Sequence, residues 1–221
     1  METAACGDVP KTLQTIAYIS IPNSADLEFL LWDLQDAIAA YARLSGTSLP
    51  RLVSLGTDDG GSVADGIVFA VENALNNEAM SVVEQALDCL GGTEARVYVV
   101  VQASCGSPER AHTVVGHLRE ACERRGGLSW CGGIVACTGA GIAALCRSPR
   151  MGLLRRPFSE AMDKLVGAVR MGCSVEHAQR LGGGSAEDID TNGMVFAEPA
   201  VPAPIWQAVI KRLGSRAQSN I

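Results

Sequence analysis

Arg96–Gln102 (RVYVVVQ) is an unbroken run of β-formers with no alternation of apolar and polar positions. A strand that shows neither face to water needs no alternation, so this stretch is expected at the centre of a parallel sheet covered on both sides. Directly after it, Ser107–Pro108–Glu109 reads as a helix start: a capping hydroxyl, a proline at the first helical position and an acid in the first turn. Ala111, Val114, Val115, Leu118, Ala121 and Cys122 then recur at intervals of three and four, one face of a helix ending at Gly126.

The same strand-then-helix unit repeats outward in both directions. Upstream, Thr15–Ile21 (TIAYISI) is a β-branched run stopped by Pro22, and from Asp26 onward Leu27, Leu30, Leu31, Leu34, Ile38 and Tyr41 have helical spacing. Arg51–Leu55 (RLVSL) and Asp65–Val71 (DGIVFAV) read as two further strands, and Asn77 as the cap of a helix stopped at Gly91 and Gly92. Downstream, Trp130–Thr138 (WCGGIVACT) is a fifth strand, and a helix opened by Arg156–Pro157 uses Phe158, Met162, Leu165 and Val169 before Gly172. Five strands with crossover helices imply an α/β fold, a doubly wound five-stranded parallel sheet with helices on both faces. Residues 1–14 are expected to be a flexible N-terminus, 15–172 the domain, 173–203 a loop, and 204–221 a last helix on the same domain, carrying Ile205, Val209, Ile210 and Leu213 with Gly214 past its end. One connection is too short: residues 56–64 leave no room for the dozen or so residues that a parallel crossover usually takes. Either a helix is lost there or Arg51–Leu55 pairs in another way.

Composition narrows the function. The chain has 221 residues with 18 Lys+Arg against 24 Asp+Glu, a formal charge of −6, and 48% hydrophobic residues. Without a basic field it has nothing to neutralise phosphates, so nucleic acid is excluded as a partner. The longest apolar run, around Val97–Ala103, is too short for a membrane span, and Met1–Pro10 lacks the pattern of a leader, so the expected location is the cytoplasm. The eight cysteines form no C-x-x-C pair and no zinc spacing and are read as small hydrophobes. Cys105 and Cys137 are set apart because they fall where strands end, next to helix starts that can lower a thiol pKa.

In open α/β sheets, ligands bind beyond the carboxyl ends of the strands. That picks out Ser20–Ala25, Val71–Asn77, Ala103–Ser107 and Cys137–Ala144. In the first loop Ser20, Asn23 and Ser24 offer donors beside a helix start that can take a phosphate; equally, Asp26 and Glu28 can satisfy that helix end with no ligand. The third loop can close over a planar ring through its backbone N–H groups, or simply connect strand to helix. Gly132, Gly133, Gly139 and Gly141 form no G-x-G-x-x-G and are assigned to close helix–strand packing. Arg147, Arg150, Arg155 and Arg156 are either a phosphate receiver for a nicotinamide cofactor or acidic substrate, or a solvated helix entrance. His112, His117 and His177 share no metal-ligand spacing, and no G-x-S-x-G elbow, Walker loop or H-E-x-x-H helix is present.

Ser20-Ile21-Pro22-Asn23-Ser24, Ala64-Asp65-Gly66-Ile67-Val68-Phe69-Ala70 and the distal Met151–Arg156 and Pro202…Ile205-Trp206 segments resemble the flavodoxin-like family of NAD(P)H-dependent FMN reductases. The resemblance implies an FMN cofactor and NAD(P)H as transient co-substrate. It also implies hydride transfer through the flavin to a small-molecule quinone, nitro or azo acceptor, and a homodimer. Carried over onto matching positions, it puts Ser20, Pro22, Asn23 and Ser24 at the FMN phosphate, Glu72 and Asn73 at one ring edge, and Ser104, Cys105 and Gly106 at the other. No protein acid or base is required, because the flavin carries the chemistry. Where the family packs the ring with Pro-x-Tyr, this chain has Val71-Glu72-Asn73. The alternative is therefore a non-catalytic flavodoxin-like scaffold that has lost FMN and serves in protein interaction or self-association.

Overall fold

The computed structural model describes residues 9–54, 64–90, 94–105, 108–185 and 187–218. Strands β1 (Thr15–Ile21), β2 (Arg51–Ser54), β3 (Gly66–Glu72), β4 (Ala95–Ala103), β5 (Leu128–Cys137) and β6 (Met194–Ala197) form one six-stranded sheet in the order β2-β1-β3-β4-β5-β6. Every neighbouring pair is parallel. The order 2-1-3-4-5 is that of the flavodoxin-like doubly wound fold. β4 lies inside it with all nine residues buried, as its unbroken apolar sequence requires. β2 pairs with β1 in ordinary parallel register, so of the two explanations for the short connection the aberrant pairing is ruled out. The connection itself falls largely outside the described residues.

Side chains alternate between two cores. Ile16, Tyr18, Val68, Ala70, Tyr98 and Val100 face one layer, made by α1 (Ala25–Ser45), α4 (Arg156–Met171), α5 (Val175–Leu181) and α6 (Ala203–Gln218). Ala17, Ile67, Phe69, Val97, Val99 and Val101 face the other, under α2 (Asn77–Leu90) and α3 (Pro108–Glu123). The period-2 alternation of a strand thus divides even a uniformly apolar sequence between two helical layers.

Several expectations need correction. The sheet has a sixth strand, and it comes from the segment read as a loop: residues 173–203 hold α5 and β6, with Cys173, Val175 and Met194 fully buried. Glycines and acids between these elements hid them. Of the supposed flexible N-terminus, residues 1–8 lie outside the described residues; Leu13 is buried, and the Lys11 N–H donates to Met171 O at 2.8 Å. Asn76, not Asn77, caps α2, its Oδ1 accepting from Ala79 N at 2.8 Å. The helix stop at Gly91 and Gly92 and the cap at Ser107 lie outside the described residues. α6 runs through Gly214 and is turned so that Trp206 and Ile210 are buried while Ile205 is exposed. Trp206 sets that rotation, because its Nε1 donates to Thr138 O at 2.6 Å and its ring packs on Phe158.

The glycines of β5 serve strand against strand rather than helix against strand. β4 advances from Val97 to Val99 while β5 advances from Trp130 to Gly133, so β5 carries one extra residue as a bulge. Gly132 takes φ +83° there, and a Cβ on Gly133 would stand 1.8 Å from Val99 O.

Candidate functional site

The sheet order reverses between β1 and β3, and the crevice outside their carboxyl ends is where this fold receives ligands. Here it is a hollow of about 180 Å³ lined by Asp26, Glu72, Asn73, Gln102, Ser104 and Gly139. Each comes from the end of an element: Asp26 from the first turn of α1, Glu72 and Asn73 from the end of β3, Gln102 from the end of β4, and Gly139 from the turn after β5.

The centre of this rim is a carboxylate. Asp26 Oδ2 accepts from Gly141 N at 2.6 Å and from Gln102 Nε2 at 3.0 Å, and Oδ1 accepts from Ala143 N at 2.9 Å. Gln102 Nε2 also donates to Gly139 O at 2.8 Å. The backbone N–H groups of Gly141 and Ala143 belong to the start of a short 3-10 turn, Ile142–Arg147, the kind of backbone end that attracts an anion. Asp26 supplies that anion from within the chain. It ties the first, fourth and fifth strand-end loops together across the place where a ligand's negative group would lie. Ser24 is engaged likewise: its Oγ accepts from Leu27 N at 3.4 Å as the cap of α1. Only Pro22, Asn23 and Ser24 separate β1 from α1, so the loop has little chain with which to wrap a phosphate.

The residues assigned from the sequence are distributed over three cavities. Glu72, Asn73 and Ser104 share the switch-point crevice. Ser20 and Asn23 bond each other, Oγ to Oδ1 at 3.4 Å, and line a separate cleft of about 360 Å³ between α1 and the β1/β2 edge. Cys105 lines a third, of about 400 Å³, with Cys137 and Glu198. Ser24 faces its own helix, Pro22 is exposed, and Gly106 lies outside the described residues. Asp26 and Gln102 were missed as central. The available signal was a polar residue closing the otherwise apolar RVYVVVQ, which in a buried strand end must have partners.

Three of the four arginines of residues 147–156 are engaged by carboxylates of the chain. Arg155 and Arg150 both pair with Asp33 of α1, at 2.5 and 3.2 Å; Arg150 also pairs with Asp163 and Arg156 with Glu160. The set is therefore not simply a solvated helix entrance either, because Arg155 is buried. Among the described residues no group of three His, Cys, Asp or Glu could hold a metal ion, and no helix is long and apolar enough to cross a membrane.

The strand-end thiols are not activated. Cys105 Sγ donates to Cys137 O at 3.0 Å; burial raises the Cys105 pKa, and burial together with the Glu198 carboxylate pushes Cys137 up to about 11. Cys122 and Cys131 are pushed up by burial to about 12. A thiol reacts as its thiolate, so at neutral pH the four should alkylate slowly while the exposed Cys146 reacts first. Peptide mapping after timed iodoacetamide treatment checks this; labelling of Cys105 or Cys137 ahead of Cys146 would restore a thiol role.

Strand order and a rim built at the β1/β3 reversal define the chain as a flavodoxin-like α/β protein. No family model and no curated protein matches it. Among solved structures it aligns with a short-chain flavodoxin associated with a non-canonical PDU bacterial microcompartment. The alignment covers 71% of this chain and 99% of that one, at 14% identity and a TM-score of 0.41. A likeness that distant carries no argument about ligand or activity.

Proposed function

We propose that the chain is a flavin-free member of the flavodoxin-like class, a binding scaffold acting through protein interaction or self-association rather than an FMN reductase. The observation that carries this is Asp26, whose carboxylate fills the anion position at the switch point with three hydrogen bonds from the rim itself. FMN does not fit what remains. Among the described residues, its phosphate would meet Asp26 and Glu28 with no cation lining the crevice or the α1-side cleft, and the crevice presents carboxylates, amides and small residues with no aromatic platform. Of the four arginines that would have served NAD(P)H, Arg150, Arg155 and Arg156 are paired with Asp33, Asp163 and Glu160.

A second reading, the NAD(P)H-dependent FMN oxidoreductase, is favoured by one atom: Asn73 Nδ2 is buried at the crevice with no hydrogen-bond partner, a donor that a ring carbonyl would satisfy. FMN titration distinguishes the two. The scaffold reading expects no change in the flavin's visible spectrum and no quenching of its fluorescence. A stoichiometric complex would overturn it in favour of the reductase. Asp26→Ala is expected to leave two backbone N–H groups and an amide poorly paired and to cost about 2–3 kcal/mol in urea unfolding. A neutral result would show that the carboxylate is dispensable to the rim. Self-association is checked by sedimentation of the purified chain, where a monomer at all concentrations removes that part of the proposal.

A further inference from the structure

Two tyrosines stand on the same face of the sheet. The Tyr98 hydroxyl is answered by Ala168 O and Cys173 O, both at 3.2 Å. Tyr18 on β1 is 4% exposed, and its hydroxyl is buried with no hydrogen-bond partner. Phenylalanine would fill that position without leaving a polar atom unsatisfied, so the lone hydroxyl is a standing cost to the fold. Such an atom is explained when something outside the chain supplies its partner.

Tyr18 forms part of the wall of the cleft between α1 and the β1/β2 edge, about 360 Å³ in volume. Ser20, Asn23, Glu28, Trp32 and Gln35 line it as well. Trp32, the largest side chain on α1, is 50% exposed, as Tyr41 and Leu44 further along the helix are at 38% and 84%, and of the three it is the one that lines the cleft. It is held in place: Phe29 stacks behind it at 6.2 Å between centroids, and the Arg155 guanidinium lies 5.9 Å from its ring. A fixed, half-open aromatic plate suits a planar ligand. The Tyr18 phenol is a donor at neutral pH, as any phenol is, and burial raises its pKa further. Among the described residues lining the cleft, Glu28 is the single charged one.

We propose that this cleft binds a planar nitrogen heterocycle of nucleoside type. Its ring lies on Trp32, a ring acceptor takes the Tyr18 hydrogen bond, an exocyclic amine faces Glu28, and it carries no phosphate. The absence of a phosphate follows from the charge: the described residues of the cleft lining offer an anion no cation and one carboxylate. Ser20 and Asn23, which the sequence assigned to a flavin phosphate, become polar contacts for a neutral ligand. The site is separate from the switch-point crevice, and adenosine, which has neither flavin ring nor phosphate, probes it without FMN.

Adenosine is the probe, with AMP as its charged counterpart. Titration of adenosine into the full chain, read by tryptophan fluorescence and calorimetry, is expected to give a dissociation constant on the order of 0.1 mM, the affinity that ordinary ligand efficiency gives a molecule of about 19 heavy atoms. AMP should bind at least about tenfold more weakly. Tyr18→Phe should weaken adenosine by about fivefold to tenfold while raising the thermal midpoint, a combination that loss of a structural contact would not give. Trp32→Ala, at an exposed position, should weaken it by about tenfold or more with the fold intact. No saturable binding at millimolar adenosine, equal binding of AMP, or affinity unchanged in folded Tyr18→Phe and Trp32→Ala each overturns the proposal.

Discussion

Gly133→Ala is expected to destabilise the protein by more than about 4 kcal/mol, enough to leave little folded chain at 25 °C in a domain of ordinary stability. The added Cβ would stand 1.8 Å from Val99 O, 2.7 Å from Val99 C and 2.9 Å from Val99 N. All three are backbone atoms of β4, one of the two middle strands, and cannot swing aside as a side-chain end can. Relief requires parting β4 from β5 at the Val99–Gly133 pair, or rebuilding the bulge that also holds Gly133 N to Gly193 O at 3.1 Å. The damage would reach the rim, since β5 continues into Cys137, Thr138 and Gly139. Gly167→Ala in α4 is the internal control. A Cβ there meets nothing within 4 Å, and replacing a mid-helix glycine by alanine should stabilise by about 0.5–1 kcal/mol. Urea unfolding of both variants checks the pair; a Gly133→Ala protein with wild-type midpoint would mean that the β4/β5 register is not as described.

The sheet was legible because its signals are local. RVYVVVQ, TIAYISI and DGIVFAV are long enough in β-formers to be recognised without their neighbours, and the helices between them repeat their apolar faces at three and four. β6 was not legible: MVFA is four residues long and lies among glycines, acids and prolines, and its strand character comes from pairing with β5. The bulge was invisible for the same reason. Gly132-Gly133 in sequence says that something approaches closely, and only coordinates say that it is Val99 and Gly193 rather than a helix.

The rim was legible as a set of loops but not as a site. Strand ends can be listed from sequence; which side of the sheet a loop residue faces depends on the pleat. Ser20 shares the parity of Ile16 and Tyr18 and Glu72 that of Val68 and Ala70, so both belong to the α1 side of the sheet, yet they line different cavities, a separation that parity does not foretell. By its place in the first turn Asp26 reads as a residue that satisfies its own helix. Its hydrogen bonds run instead to Gly141 and Ala143, more than a hundred positions along the chain, and no spacing rule connects them.

The arginine cluster shows most clearly how a solvated group and a buried one differ, and it carries the second large effect. Asp33→Ala is expected to cost about 3–5 kcal/mol. Asp33 is 2% exposed and Arg155 4%; Arg155 Nη2 bonds Asp33 Oδ1 at 2.5 Å, and its Nη1 donates to Ser148 O at 3.0 Å. The guanidinium also lies 5.0 Å from the Phe29 ring. α1 and α4 thus meet over a desolvated ion pair. Removing the carboxylate leaves a buried cation with Arg150 beside it, also drawn to Asp33 at 3.2 Å, and the Arg155 guanidinium cannot regain its water without opening the contact. The pair itself need not be stabilising. Bringing both charges out of water costs about as much as their attraction returns, so Asp33→Leu combined with Arg155→Met should recover most of the loss. A double-mutant cycle by urea unfolding therefore expects two severe single variants and a mild double one. A double variant as unstable as the sum of the singles would mean that each residue acts through separate contacts, Asp33 through Arg150 and Arg155 through Phe29 and Ser148, and that the buried pair is incidental to the α1–α4 junction.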